Sequence, residues 1–275
     1  MKVLLSFFIL FTQLIALEIV QESISNGQTA MVLFDKKEGI KKVKVEKKSY
    51  KVFDTPYESS KVYALIPISY YAKPHTQKVY FDKDFFYLDI EDGHYKKEII
   101  HVQTSKVNPK SDAVKKRTSQ EYAQAMKIYN TITPINYVST PFIVPMQSKI
   151  TSDFGKARVY NDTLKGYHSG TDFRAKIGTP VIASNDGVVV LAKERFYAGN
   201  SIIIDHGEGI YTCYYHLSAF KVKKGDRVKK AQVIGLSGDT GRITGPHLHF
   251  SARVGGIQVD PLQLISLLNQ NLYKE

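Results

Sequence analysis

The 275-residue sequence has no tryptophan and only one cysteine, Cys213. A single cysteine excludes an intramolecular disulfide, so the fold must depend on its hydrophobic cores or on a bound metal. The net charge of +12 is spread over both halves of the chain and forms no basic arm, which argues against a nucleic-acid partner. Diffuse positive charge favours a polyanionic surface, although solubility alone explains it equally well.

Several common catalytic signatures are also missing. The sequence contains no G-x-S-x-G, no H-E-x-x-H and no phosphate-binding glycine loop, which excludes the corresponding serine-hydrolase, zinc-protease and nucleotide-binding motifs. Cys213 stands three residues before His216, so on a strand the two side chains point to opposite faces. We therefore expect a packed core thiol rather than a Cys/His nucleophilic pair.

Long apolar runs are confined to the N-terminus. Lys2 is followed by an apolar run from Val3 to Ala16, which is the pattern of a secretory signal peptide. The run is shorter than the roughly 20 apolar residues that a membrane span needs, and no later segment reads as transmembrane. We predict a signal peptide over residues 1–16 and an exported, preferably periplasmic protein. A buried first strand is the alternative.

The remainder predicts a mostly β protein of two domains, because it is rich in tyrosine (18) and phenylalanine (14) and in short alternating segments. Residues 18–105 are expected to form a small antiparallel N-terminal β domain with an accessory or regulatory role. Its clearest strand signals lie at residues 42–46, 79–81 and 85–90. Three histidines in this region have no ligand spacing and are expected at the surface: His75, His94 and His101.

A linker and a connecting helix are expected over residues 106–141. Residues 105–117 are polar and basic, which indicates a linker, and a partial apolar stripe predicts a helix over residues 119–130. Residues 142–275 return to strand and glycine-turn patterns and are expected to form the second domain.

Histidines with informative spacing occur only in this second domain. His168 and Asp172 form an H-x-x-x-D motif, and Gly170 between them favours extended chain, on which the fourth residue returns to the same face. His247 and His249 flank Leu248, so alternation on a strand places both imidazoles on one face and the leucine in the core. His216 is expected at the end of another strand, beside tyrosines.

Together these motifs predict a catalytic metal site. Two histidines and one aspartate would leave a fourth zinc position open for water or substrate, and zinc lowers the pKa of a bound water to about 7. The remaining histidines could then act as general acid or base or stabilise charge on an intermediate. Spacing alone does not decide which of His247 and His249 is the ligand.

The second domain resembles the LytM/lysostaphin-type (M23) peptidases over residues 142–264. The resemblance depends on the motif around His168, on Tyr215-His216-Leu217 and above all on the segment 235–250, which runs from Gly235 to the His247-Leu248-His249 motif. It implies an antiparallel β-sheet groove, one Zn²⁺ held by His168, Asp172 and His249, and acid/base roles for His216 and His247. It further implies hydrolysis of peptidoglycan stem peptides or cross-links, in cell-wall remodelling and cell shape. D,D-endopeptidase action is the first choice, and carboxypeptidase action or cleavage of glycine bridges are the alternatives.

Three further residues are candidates for contacts with the substrate peptide: Arg158, Tyr197 and Asn200. Arg158 suits a carboxylate, because guanidinium binds carboxylates in a bidentate way and stem peptides are acidic. Other cell-wall or cell-shape proteins are expected partners of the N-terminal domain.

Two alternatives remain open at this point. The glycine-rich strands at residues 178–190 and 222–228 also resemble the lipoyl/biotinyl carrier sandwich, which we interpret as shared sheet architecture. A non-catalytic wall-binding activator is the second alternative, and it requires that zinc does not bind.

Asp205-His206-Gly207 is interpreted as a hairpin turn rather than a metal site.

Overall fold

The structure, a computed structural model, describes residues 17–36, 40–101, 111–161 and 164–273. The expected signal segment at residues 1–16 and residues 105–110 of the expected linker lie outside the described residues. The protein is mostly β, as predicted. The strands before the first helix are β1 (Leu17–Ile19), β2 (Ser23–Ser25), β3 (Thr29–Asp35), β4 (Lys42–Val45), β5 (Lys48–Lys51), β6 (Phe53–Asp54), β7 (Lys61–Pro67), β8 (His75–Phe81), β9 (Asp84–Glu91) and β10 (Lys97–Ile100).

Two sheets build the N-terminal region. Strands β1-β3-β7-β6 form one sheet and β2-β9-β8-β4-β5 form the other, in which β2 and β9 run parallel. The strand signals read from alternation correspond to β4, β8 and β9. Their buried residues face a core shared with one face of β3 and β7.

Strands β3 and β7 are buried on both faces. Ala30, Val32 and Phe34 of β3 face the N-terminal core, whereas Met31 and Leu33 face a second core that includes residues of the C-terminal region. A strand covered on both faces reads as a continuous apolar run without alternation. For that reason the sequence pattern gave no alternating signal for the sheet that joins the two regions.

Helix α1 (Asp112–Tyr129) follows, and it differs from the helix expected over residues 119–130. It begins seven residues earlier, so residues assigned to a linker form its first turns. The prediction was wrong there because this half of the helix is solvent-exposed and has no apolar stripe. Its polar side chains instead form helix and inter-element pairs, including Arg117 with Glu121 and Glu194.

The C-terminal region is built on a ten-stranded sheet with a helix behind it. Its strands, together with those of a small neighbouring sheet, are β11 (Ile150–Ser152), β12 (Ala157–Tyr160), β13 (Leu164–Tyr167), β14 (Thr171–Arg174), β15 (Pro180–Ile182), β16 (Gly187–Arg195), β17 (Gly199–Asp205), β18 (Ile210–Phe220), β19 (Arg227–Val228), β20 (Val233–Ser237), β21 (His247–Val254) and β22 (Ile257–Val259). The main path of the large sheet is β11-β14-β21-β18-β17-β16-β19. Helix α2 (Pro261–Asn271) follows β22, and the side chain of Asp260 caps its N-terminus.

Contacts cross the predicted domain boundary at several points. Strand β10, from the N-terminal segment, pairs in parallel with β12, which pairs with β13. In addition, the side-chain amide of Gln263 on α2 forms two hydrogen bonds with the backbone of Thr29 on β3, at 3.0 and 2.9 Å. The division into domains at residues 18–105 and 142–275 remains a prediction. Of the helices in the described part of the chain, neither has the length and hydropathy to cross a membrane.

Candidate metal and catalytic site

Strand register places two of the predicted ligands opposite each other. On the antiparallel pair β14 and β21, the Cα partner of Asp172 is His249 and that of Arg174 is His247. Residues opposite each other on neighbouring strands project to the same face of the sheet. Leu248, between the two histidines, is fully buried in the core behind the sheet, which confirms the predicted alternation.

His168 reaches this pair from the segment between β13 and β14, rather than from the same strand as Asp172. Gly170 allows the close approach, because a Cβ there would lie 2.3 Å from the carbonyl oxygen of Phe250 and 2.8 Å from His249 Nε2. On the other side, the ring of Tyr167 stacks on that of Tyr70 from the N-terminal region, with centroids 3.9 Å apart. The N-terminal region therefore helps to hold the segment that carries His168.

Three metal-binding atoms converge at this point. His168 Nε2 lies 2.9 Å from Asp172 Oδ1 and 2.9 Å from His249 Nδ1, and the last two atoms are 2.7 Å apart. All three side chains are buried. His168 Nδ1 is 2.7 Å from the carbonyl oxygen of Asp153, which can only accept, so Nδ1 carries the proton and Nε2 presents a lone pair.

This arrangement fits a bound cation. When both imidazoles are neutral, at most one proton, on His249 Nδ1, separates three atoms that otherwise direct lone pairs at one another. A metal ion coordinated by all three would replace that repulsion with favourable bonds. Two imidazole nitrogens and one carboxylate oxygen form a donor set that zinc accepts while keeping an open position. The residues present therefore fit the metal that the sequence implied.

Arg158 contacts the site through Asp172. Its guanidinium donates to Asp172 Oδ2 at 3.3 Å and to Glu98 Oε2 on β10 at 2.9 Å. Burial opposes ionisation of Asp172, but its contacts with His168 and His249 outweigh that effect and hold the pKa of the carboxyl well below its usual range. The structure thus pairs Arg158 with protein carboxylates, and a contact between Arg158 and a substrate carboxylate remains a prediction.

His216 lies inside strand β18, not at its end as predicted. Its φ of +62° falls where the register of β17 and β18 shifts, so a β-bulge re-aims the side chain. His216 Nδ1 donates to the carbonyl oxygen of Thr240 at 2.8 Å, which leaves Nε2 as an acceptor. Burial, followed by the neighbouring His249 and His247, lowers the pKa of His216 to about 3, so the ring is neutral at pH 7.

His247 completes the group. Its Nδ1 donates to the carbonyl oxygen of Gly245 at 2.8 Å, and its Nε2 lies 3.5 Å from Asp172 Oδ1. The rings of His216 and His247 are 5.1 Å apart. The structure therefore brings together all five residues predicted to bind metal or to catalyse: His168, Asp172, His216, His247 and His249.

These residues line a cavity of about 280 Å³. One wall is helix α1, through Tyr122, Ala125, Met126 and Tyr129, and Ile100 of β10 also contributes. The N-terminal elements therefore shape the space above the metal-binding atoms.

The two remaining substrate-contact candidates differ in their positions. Tyr197 lines the cavity, and its carbonyl oxygen accepts a hydrogen bond from the backbone of Arg242 at 2.8 Å. Asn200 is not among the residues that line it. The backbone N–H of Asn200 donates to Thr240 Oγ1 at 2.9 Å, so this residue supports the loop that orients His216.

Sequence reasoning missed the role of the loop between β20 and β21. Gly241 has a φ of +87°, and a Cβ there would lie 2.4 Å from the backbone nitrogen of Gly199, so glycine permits the loop to pack against β17. Thr240 then reaches His216, and Arg242 lines the cavity. The glycines of the motif at residues 235–241 were recognised from the sequence. No local sequence pattern, however, indicates that Thr240 and Arg242 reach the site.

Other residues weighed from sequence lie outside the site. His206 is in the predicted turn between β17 and β18, and Cys213 is a buried thiol in the core against α1, near the hydroxyl of Tyr129. Both predictions are confirmed. His75, on β8, is exposed as expected.

Comparison with known proteins supports the same interpretation. Residues 166–261 match Peptidase family M23. The chain is 48% identical over 122 residues to the peptidoglycan DD-endopeptidase ShyA of Vibrio cholerae, and the match covers 43% of this chain and 28% of that protein. It is 46% identical over 97 residues to the DD-carboxypeptidase/endopeptidase Mpg of Neisseria meningitidis, with coverage of 35% and 22%. The matches thus span about a quarter of the length of these relatives.

One solved structure resembles the protein over most of its length. A Pseudomonas aeruginosa protein provisionally named peptidase M23 superposes with a TM-score of 0.68 at 25% sequence identity, and the match covers 88% of this chain and 94% of that one. At 88% coverage, the similarity extends beyond residues 166–261 into the N-terminal region. Residues 166–261, which carry the site built on His168, Asp172 and His249, are therefore similar to Peptidase family M23.

Proposed function

We propose that the protein is a zinc-dependent peptidase that hydrolyses amide bonds in the stem peptides or cross-links of peptidoglycan. D,D-endopeptidase action is the first choice and carboxypeptidase action the second, in line with the names of ShyA and Mpg. The observation that carries the proposal is the convergence of three metal-binding atoms at a cavity that also contains two further histidines.

His168 Nε2, Asp172 Oδ1 and His249 Nδ1 would hold one Zn²⁺ per chain. When bound, the ion would supply Lewis-acid chemistry that polarises a carbonyl group and activates water. Asp153 and Arg158 fix the orientation of two of these ligands through the hydrogen bonds described above. Such outer contacts hold the ligand atoms in place and thereby strengthen binding.

His216 and His247 would manage protons and developing charge. The hydrogen bond from His216 Nδ1 to Thr240 leaves Nε2 free to accept a proton or hydrogen bond from water. His247 is oriented by Gly245 in the same way, and we propose that its protonated form, which carries a second N–H at Nε2, stabilises charge on the substrate carbonyl oxygen and passes that proton to the leaving amine. Both rings have one nitrogen held by backbone, which reduces the reorganisation needed during reaction.

The proposal also covers the cellular location of the protein and the role of its N-terminal region. The predicted signal over residues 1–16 and the peptidoglycan substrates named for the relatives favour export, with the periplasm preferred. Helix α1 and β10 contribute to the cavity wall, so we propose that residues 18–105 and the following helix form an accessory module that shapes the groove, acts in cell-shape control and contacts other wall proteins.

The decisive experiment measures zinc content and digestion of purified peptidoglycan by the same preparations, with products identified by mass. One zinc per chain and released cross-link fragments would support endopeptidase action, whereas released terminal residues would indicate carboxypeptidase action. A His75→Ala variant, altered on an exposed strand of the N-terminal region, should retain both properties. A wild-type chain that binds no zinc and releases no product would overturn the proposal and leave a wall-binding activator.

The roles of the two cavity histidines need a separate variant. His216→Ala should retain zinc, because His216 contributes none of the three converging atoms, and should lose turnover. Digestion of wall by this variant at the wild-type rate would contradict the assigned role.

A further inference from the structure

The cavity carries an excess of positive charge. Among the described residues that line it, four are arginines (Arg158, Arg195, Arg242 and Arg253), and the single acidic one is Asp172. The carboxylate of Asp172 would be neutralised in part by a metal. A cleft with charge of one sign concentrates ligands of the opposite sign, so the cavity suits a peptide that carries free carboxylates.

Three of the four arginines already have protein acceptors. Arg158 is paired with Glu98 and Asp172. Arg195 donates to the carbonyl oxygen of Glu121 at 3.4 Å. Arg253 donates to the carbonyl oxygen of Gly256 at 2.7 Å and to the side chain of Gln258 at 2.9 Å. Carbonyl and amide oxygens satisfy hydrogen bonds but leave the positive charges of Arg195 and Arg253 uncompensated.

Arg242 is held by two aromatic rings, whereas Arg253 combines its hydrogen bonds with one ring, that of Tyr129, whose centroid is 4.3 Å from its guanidinium carbon. The guanidinium carbon of Arg242 lies 4.4 Å from the ring centroid of Tyr160 and 4.8 Å from that of Tyr197. Contact with ring faces positions a guanidinium while its N–H groups, which lie in its plane, remain able to donate. The backbone N–H of Arg242 is bound to the Tyr197 carbonyl oxygen, so both ends of the residue are fixed.

The loop places Arg242 beside the proposed catalytic group. Thr240, two residues earlier, accepts the hydrogen bond of His216, and His247 begins the strand five residues later. A ligand that contacts Arg242 is therefore within the same cavity as the histidines that would act on its amide bond.

On the basis of the proposed function, we infer that Arg242 is a specificity residue that binds a free carboxylate on the leaving side of the scissile amide. In a D,D-amide the carbon attached to the scissile nitrogen carries such a carboxylate, whereas the amide nitrogen inside a glycine bridge is followed by another amide. Bidentate pairing of guanidinium with carboxylate is geometrically specific. Arg242 would thus select D,D-bonds for either endopeptidase or carboxypeptidase cleavage.

The test compares two peptides that end in D-alanyl-D-alanine and differ only in a C-terminal carboxylate or carboxamide. Binding is measured by calorimetry on the full-length, zinc-loaded His216→Ala chain, so that cleavage does not interfere. The free acid should bind about 10–100-fold more tightly than the amide, as expected for a charged hydrogen-bonded pair. When Arg242→Gln is added to the His216→Ala chain, this preference should disappear. With Arg242→Lys in the same chain, only part of the preference should remain.

Arg227→Gln is the matched control, because Arg227 also lies over a tyrosine ring, Tyr137, but is not among the residues that line the cavity. This variant should keep the full preference for the free acid. Equal binding of the two peptides, or a preference that persists in Arg242→Gln, would overturn the inference. Turnover of the same peptides by the otherwise wild-type chain tests the proposed function separately, because a carboxylate preference in binding does not require cleavage.

Discussion

Two buried histidines of the C-terminal region differ in what surrounds their second ring nitrogen. His206, in the turn after β17, has Nδ1 2.7 Å from the carbonyl oxygen of Asp186 and Nε2 2.7 Å from the hydroxyl of Thr212. His168, before β14, also has Nδ1 bound to a backbone carbonyl, but its Nε2 faces Asp172 and His249. The first ring is satisfied by the protein alone, whereas the second directs Nε2 at two other electron-pair donors, an arrangement that a bound cation would satisfy.

The comparison separates a structural histidine from a ligand on physical grounds. A hydroxyl can donate to a neutral ring nitrogen, so His206 needs no proton or metal. Burial lowers its pKa to about 4, which keeps the ring neutral. Burial alone therefore does not identify a ligand, and the decisive feature is a second nitrogen directed at other electron-pair donors.

The largest expected effect comes from breaking the cation site. His168→Ala should reduce zinc affinity by more than the roughly 10–100-fold that loss of an outer contact costs, because it removes one of three ligand atoms. Peptidoglycan digestion should fall below detection. Zinc titration by competition with a chelator measures the change. Zinc bound with wild-type affinity in this variant would contradict the ligand assignment.

Removal of the satisfied histidine should affect stability instead. His206→Ala leaves the Asp186 carbonyl and the Thr212 hydroxyl without their buried partner, and we expect a loss of about 2–4 kcal/mol in the free energy of unfolding. Zinc affinity should not change. Urea unfolding and zinc titration test both statements, with the exposed His75→Ala expected to stay within about 0.5 kcal/mol of wild type. Loss of zinc from a folded His206→Ala variant would contradict the conclusion that His206 is structural and His168 is a ligand.

A smaller effect, dependent on pH, is expected from Glu208 in the same turn as His206. Burial raises the pKa of Glu208 to about 7, although a hydrogen bond from Tyr63 on β7 opposes this. Between pH 4.5 and 7 the folded chain therefore holds a proton that the unfolded chain has released. The free energy of unfolding should fall across that window, by on the order of 2 kcal/mol.

Glu208→Gln should flatten this slope, because the amide does not titrate. Urea unfolding at pH 5 and pH 8 should show wild type losing stability relative to the variant at the higher pH. An identical pH dependence in both proteins would show that Glu208 does not couple the N-terminal sheet to the turn in this way.

Local patterns predicted the strands and residues whose environment is set by near neighbours. Alternation on β21 placed His247 and His249 on one face and Leu248 in the core, as found. The same reasoning missed β3 and β7, which are covered on both faces, and it missed α2. The signal for α2 was present in Asp260-Pro261, an N-cap followed by proline at the first helical position, ahead of an apolar stripe.

The sequence by itself determined which chemical groups are available: two imidazoles and a carboxylate for a metal, two further imidazoles, and strands that project them to one side. Only the tertiary structure decided which ring nitrogen faces the metal site, that Arg158 is tied to Asp172, and that Arg242 lies over two tyrosines in the cavity. The reason is distance along the chain. Asp172 and His249 are 77 residues apart, and Arg158 meets Glu98 across 60 residues. Such contacts depend on strand register and loop packing, which no local periodicity specifies.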